Sequence, residues 1–251
     1  MFYKEYERCV SYYQGSVYEN KSNVVPSYNP DTALKLLNEA GWKKEAGEKW
    51  LTKDGKNLEI DLNINNSLER IFTPLQQDLE KVGIKLNLVF VTPQAGFEKL
   101  MKRKYKMHYV SWTGLFFPNP ETSMHSKYAD KPETNNVTGI NIPRIDTLCE
   151  QYDKSYDVDE RIKILQEIDK LAVEGHYYAF GWVAPYSLRT TYWNKFDMPE
   201  WGLSYTGDFA SVLSLWWSDP AKVSQLEKAK ADEALSMPIG TEKIDYWKTS
   251  K

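Results

Sequence analysis

The side chains that most often carry chemistry are few in this chain and widely spaced. It has three histidines, His108, His125 and His176, and two cysteines, Cys9 and Cys149. No H-x-x-x-H, C-x-x-C or acidic calcium-loop pattern joins them, so no metal set is assigned. No G-x-S-x-G elbow marks a nucleophilic serine. No G-x-x-x-x-G-K-[ST] or G-x-G-x-x-G loop offers backbone amides to a phosphate, so no nucleotide or other cofactor is expected. A Cys9–Cys149 bridge is conceivable, but two cysteines so far apart define no framework, and buried or idle thiols are the favoured reading. Carboxylates are plentiful, and a glycosidase needs only two at the right separation. Solvated surface carboxylates account for them better.

The richer signal is aromatic. Nine Trp and seventeen Tyr bring aromatics to 14% of the chain, which points either to a surface that stacks on ligands or to a densely packed core. The densest informative stretch is Lys106–Asp146. It opens as a strand, with Met107, Tyr109 and Ser111 alternating with His108, Val110 and Trp112. It then breaks into a long loop punctuated by Gly114, Pro118, Pro120 and Pro132, and ends at Pro143, a residue suited to the first turn of a helix. A loop of this length is commonly functional or disordered. Trp112, Phe116, Phe117, Met124 and Tyr128 make it poor material for disorder and good material for a binding site.

The flanking elements follow from periodicity and punctuation. Residues 1–30 are Tyr-rich without a clean period; Arg8, Ser11, Tyr12, Tyr13 and Ser16 read as a segment packed on something else. Asn29-Pro30-Asp31 opens a helix with Ala33, Leu34, Leu37 and Ala40 on its apolar face, and Gly41 ends it. Asp54-Gly55 signals a hairpin turn. Strands are predicted over 57–64 and 84–91, and helices over 68–82 and from Pro93. With the strand at 106–112, the order strand–helix–strand–helix–strand favours a parallel sheet with right-handed crossovers and ligands beyond its carboxyl ends. Helices are predicted at 145–155 and 158–174, a buried strand at 177–186, an irregular aromatic region at 189–217, and an exposed helix from Pro220 to about Leu235.

Composition bounds the rest. With 251 residues, 41% hydrophobic and 27% charged, the chain is an ordinary globular one, long enough for one large domain or two small ones. A net charge of -3 rules out the basic surface of a nucleic-acid binder. No apolar run reaches the roughly eighteen residues of a membrane span. The first ten residues, MFYKEYERCV, lack a signal peptide's apolar core, which taken literally means cytoplasm.

Five further segments stand in order along the chain: Arg8-x-x-Ser11-Tyr12-Tyr13 with Ser16; Tyr28-Asn29-Pro30-Asp31-x-Ala33-x-x-Leu36-Leu37-x-Glu39-Ala40-Gly41-Trp42; Leu79-Glu80-Lys81-Val82-Gly83-Ile84; Thr134-Asn135-Asn136-x-x-Gly139-Ile140 leading to Ile145-Asp146; and Leu215-Trp216-Trp217-x-Asp219-x-x-Lys222. Together they resemble the C-terminal half of the extracellular solute-binding proteins of ABC importers, in the oligopeptide/dipeptide/nickel family. The last resembles the subgroup of microcin-C and long-peptide receptors. The resemblance covers roughly residues 5–225 and is carried by the ordered set, since each motif alone is weak.

It implies an α/β fold, the C-terminal lobe of a type II periplasmic-binding-protein clamshell, with a mainly parallel mixed sheet and flanking helices. It divides the chain into a crossover segment (1–27), a ligand-binding lobe (28–186), a return segment (187–219) and a C-terminal helix and tail (220–251). It implies a non-catalytic subunit that captures oligopeptides or peptide-like solutes in the periplasm or at the cell surface and hands them to permease subunits. Tyr109, Trp112 and Phe116 would supply stacking and apolar area; Thr113, Gly114, Asn135 and Asn136 would take polar groups, and Arg144 would rest on the next helix. Full members carry a signal peptide and a first lobe before this point, so the expectation is a fragment or truncated gene. Peptide-binding members place an aspartate where this chain has Leu115, so the ligand is expected to be N-blocked, not a peptide, or held by a carboxylate such as Glu121. The alternative class is a carbohydrate-active enzyme or oligosaccharide-binding module.

Overall fold

The computed structural model describes residues 5–112, 117–184, 191–199, 214–240 and 244. In chain order the strands are β1 (Glu7–Arg8), β2 (Lys43–Lys44), β3 (Leu51–Lys53), β4 (Lys56–Asn57), β5 (Glu59–Ile64), β6 (Lys85–Phe90), β7 (Met107–His108), β8 (Trp182–Val183), β9 (Phe196–Asp197) and β10 (Trp217–Ser218). The helices are α1 (Pro30–Glu39), α2 (Glu69–Lys81), α3 (Pro93–Met101), α4 (Pro120–Met124), α5 (Pro143–Lys154), α6 (Val158–Glu174) and α7 (Pro220–Ala231).

Local chemistry sets the element boundaries. Asn29 caps α1 by accepting from Thr32 N, and Pro30 occupies its first turn, where a missing N–H costs nothing. At the other end Gly41 adopts φ +91°. Trp42 N then donates to Leu37 O and Gly41 N to Asn38 O, a Schellman closure. No residue of α1 is fully buried, and Leu36 is exposed. Asp54 (φ 51°) and Gly55 (φ 70°) both take the left-handed conformation that a two-residue hairpin needs, so β3 turns back on β4 there.

Two cores organise the molecule. The first lies on one face of a parallel sheet ordered β6-β5-β7. Leu62 and Ile64 of β5 and Leu86 of β6 are buried with Phe72 of α2. The opposite side of β5 and β6 is polar: Glu59 accepts from Lys85 and Asn87, and Asp61 accepts from Asn87. Helix α3 crosses close to this side at Gly96, where a Cβ would sit 3.1 Å from Val91 Cγ2 and 3.5 Å from His108 Cε1. The sheet, its parallel sense and its two crossover helices match the sequence reading.

The second core packs α5 and α6 around Met124, Ile140, Ile145, Leu148, Leu165, Ile168 and Ala172. The irregular N-terminal segment is held against it by one carboxylate. Asp169 of α6 is fully buried; its Oδ1 accepts from Tyr12 N (2.8 Å), and its Oδ2 from Ser11 Oγ (2.8 Å), Asn20 N (2.9 Å) and Asn23 Nδ2 (2.7 Å). Gln166 completes the attachment, donating to Val17 O and accepting from Asn20 Nδ2 at its carbonyl. The segment predicted to pack on something else thus packs on α6. Cys9 and Cys149 are free thiols; burial pushes the Cys149 thiol up to about 12, so it stays protonated and unreactive at neutral pH.

Two strand predictions shrink. The strand expected over 106–112 keeps ladder pairing only at Met107–His108, with Tyr109 N still donating to Asn63 O. The strand expected over 177–186 is reduced to Trp182–Val183, paired antiparallel with β1. The cause is visible at its start: the adjacent rings of Tyr177 and Tyr178 both pack on the helical core, which the alternation of a strand does not allow. Residues 185–190 lie outside the described residues.

Replacing Asp169 with Ala leaves two backbone amides, a hydroxyl and an amide side chain without their acceptor. The expected cost is about 3–5 kcal/mol, read as a lowered urea midpoint; a shift below about 0.5 kcal/mol, the level of a neutral surface change, would show that the segment is held by other contacts.

Candidate functional site

The sheet order places β5 between β6 and β7, so the chain leaves β5 on one side and returns on the other. In open sheets ligands bind where this reversal opens a crevice at the strands' carboxyl ends. Here that point lies between Ile64 of β5 and His108 of β7. The chain beyond β7 runs through Tyr109, Val110, Ser111 and Trp112 without regular structure, and Ser111 and Trp112 are exposed.

The sequence-predicted site residues fare differently. Trp112 is 53% exposed and Phe117, across the intervening loop, is 62% exposed, so apolar area faces outward on both sides of it. Thr113, Gly114 and Phe116, together with Leu115, lie outside the described residues. Tyr109 is half-buried: its ring stacks on Trp182 at 5.7 Å and meets Phe72 edge-on at 5.4 Å, and burial pushes its hydroxyl's pKa up. It supports the sheet core from the rim. Glu121, in the first turn of α4, is ion-paired with Lys127 and so is not an unpartnered anchor for a ligand cation. Asn135 is exposed.

Asn136 requires a revised role. It is fully buried, its Oδ1 accepting from Ile140 N (2.8 Å) and its Nδ2 donating to Ile140 O (2.9 Å) and His125 O (3.2 Å). The amide is committed to backbone and holds the 125–140 loop closed from inside. Arg144 rests on the next helix, as expected, with its guanidinium forked onto Glu167 at 2.7 and 3.1 Å.

Sequence reasoning missed what holds this loop from outside. Arg103, in the turn between α3 and β7, donates to the carbonyls of Tyr128, Ala129 and Lys131. Tyr105 donates to Val137 O at 2.6 Å, and Glu133 N to Met101 O at 2.7 Å. No motif flags these residues, because a basic side chain in a charged turn reads as solvated surface. A cavity of about 290 Å³ lies nearby, where Asp61 and Asn63 meet Lys99, Lys104 and Lys106. Val89 and Tyr105 complete its lining, which is richer in charge than the apolar wall usual for a ligand site. Among the described residues no three His, Cys, Asp or Glu side chains gather to hold a metal, and no helix is long and apolar enough to cross a membrane.

Comparison with known proteins agrees with this geometry. The family model for bacterial extracellular solute-binding proteins, family 5, middle region, matches residues 2–135. An uncharacterized protein of Escherichia coli, YejA, is 24% identical over 220 residues, covering 85% of this chain and 35% of its own length. The probable peptide-binding protein YejA of Agrobacterium fabrum is 24% identical over 200 residues, covering 75% and 31%. The chain therefore spans about a third of the length of the curated relatives it matches. Among solved structures, the oligopeptide-binding protein AppA of Bacillus subtilis, in complex with a nonapeptide, superposes with a TM-score of 0.70 at 22% identity, over 85% of this chain and 43% of that one. The likeness establishes the fold: a mixed α/β lobe of the type II periplasmic-binding-protein kind.

Replacing Asn136 with Ala unpairs the buried N–H and carbonyl of Ile140 and the part-buried carbonyl of His125. Stability is expected to fall by about 2–3 kcal/mol, measured by denaturant unfolding; an unchanged midpoint would mean that the loop does not depend on its internal clamp.

Proposed function

The chain belongs to the bacterial extracellular solute-binding proteins of family 5, and from that premise we propose that it forms one wall of a cleft that captures oligopeptides or peptide-like solutes for an ABC importer. The observation that carries this reading is the exposed Trp112 just beyond the carboxyl end of the reversal-point strand. An outward indole beside extended backbone suits a ligand held through main-chain hydrogen bonds and stacked side chains. The Agrobacterium relative's designation and the nonapeptide bound to the Bacillus protein support peptides as the ligand class.

Within this reading Trp112 and Phe116 stack on the ligand, while Thr113, Gly114 and Asn135 meet its polar groups. Tyr109 and Asn136 shape the wall without touching the ligand. The sequence has Leu115 in the loop, and Glu121 is held by Lys127 rather than left for a ligand ammonium. The wall therefore suits N-blocked or long extended ligands, whose binding rests on backbone and aromatic contacts. The protein works outside the cytoplasm, performs no catalysis, and passes its cargo to permease subunits. No feature of the site favours the carbohydrate-active alternative over this one.

In this reading a single wall supplies only part of the contact surface. Titrating the chain calorimetrically with a pool of N-acetylated nonapeptides should give binding weaker than about 1 μM (about 8 kcal/mol), reduced further in W112A. Submicromolar binding by the monomer, or binding indifferent to W112A, would contradict it.

A further inference from the structure

Alternation along β5 sends Leu62 and Ile64 into the sheet core and Glu59, Asp61 and Asn63 to the opposite face. Strand pairing sets Asn63 between Val89 of β6 and His108 of β7 on that second face. Near Glu59 the face neutralises itself: Lys85 pairs with Glu59, and Asn87 donates to both Glu59 and Asp61. Around Asn63 it does not. Asn63 is only 4% exposed, yet its side-chain amide has no hydrogen-bond partner among the described residues. His108 Nδ1, on its ladder partner, is buried and equally unpartnered among them. Folded interiors rarely leave such groups orphaned, so the pair calls for a reason.

The cavity of about 290 Å³ at this face supplies one. Asn63 and Asp61 line it from β5, Lys99 from the last turn of α3, and Lys104 and Lys106 from the turn that enters β7. Lys99 and Lys104 form no ion pair among the described residues, and Lys106 reaches only the carbonyl of Glu59, at 3.4 Å. The Tyr105 hydroxyl is spent on Val137 O, so Tyr105 brings a ring and no donor. The lining thus sets three cations against the single carboxylate of Asp61. Like charges gathered in one concavity raise its potential and favour an anion between them.

We propose that this cavity binds a small oxyanion, phosphate or carboxylate, held by Lys99, Lys104 and Lys106 and by the side-chain N–H of Asn63. Its volume lies at the small end of ligand sites, too little for an oligopeptide. Lys104 and Lys106 are exposed and by themselves would suit an acidic protein surface; the buried amide requires a guest small enough to enter. The lysines precede β7 and Trp112 follows it, so the proposal stands apart from the cleft reading.

The test titrates the full chain calorimetrically with sodium phosphate and, separately, with sodium succinate, at an ionic strength held constant with sodium chloride. At least one of them should saturate a single site with a Kd of about 1 mM or tighter, and the pattern tells phosphate from carboxylate. K99Q/K104Q should weaken that binding at least about tenfold, because two charge-assisted contacts are lost, while K170Q on α6 leaves it unchanged. N63D puts a carboxylate where the guest's would sit, so it should abolish binding without lowering the urea midpoint in chloride, which a misfolded variant would not do. No saturation by either anion below about 10 mM, equal weakening by K170Q, or binding only of polyglutamate, the mark of a docking surface, would overturn the proposal.

Discussion

The described structure depends on a buried carboxylate held by neutral hydrogen-bond donors. Asp169 is fully buried, and its two oxygens collect four donors from Ser11, Tyr12, Asn20 and Asn23. A charge in that position would be strongly disfavoured without such donors, and those donors would be costly to bury without the charge. The two problems solve each other. The solution turns residues 9–23, which have no strand or helix of their own, into a fixed part of the helical core. From there the chain feeds β1 onto β8 and so reaches the sheet half through Trp182, which stacks on Tyr109.

The candidate site is built on the seam between the two halves. Tyr109 belongs to the sheet core, Phe117 and Glu121 to the segment leading into the helical core, and Trp112 to the span between them. A site in such a place is only as well defined as the attachment of one half to the other. Arg103 makes that attachment from outside the 125–140 loop, while Asn136 holds the same loop closed from within. Both act on backbone carbonyls, which gives orientation without depending on the side chains of the loop itself.

Much of this was legible in the sequence because it is local. The Asn29 cap, the Gly41 closure, the Asp54-Gly55 turn and the alternation of Leu58, Ile60, Leu62 and Ile64 are decided by near neighbours, and the structure follows them. The parallel sheet followed from element order alone. What was not legible depends on how the chain folds back on itself. Asn136 looked like a ligand-facing amide because no periodicity reveals that the loop closes on it and that Ile140 and His125 use it. The strand expected at 177–186 starts only at Trp182 because the helical core claims two adjacent tyrosines at once. Asp169 and Arg103 escaped notice because an Asp on a helix and an Arg in a turn are ordinary until their partners, 146 and 25 or more residues away, are in place.

The account's central claim is that the loop beyond β7 faces the ligand. It is tested most directly by photo-crosslinking an acetylated nonapeptide bearing a single benzophenone side chain, and mapping the adducts by mass spectrometry. The account predicts adducts concentrated between Tyr109 and Glu121 and suppressed by excess unlabelled peptide. Adducts concentrated instead around Trp193 and Trp217, or competition-insensitive labelling across the surface, would contradict it.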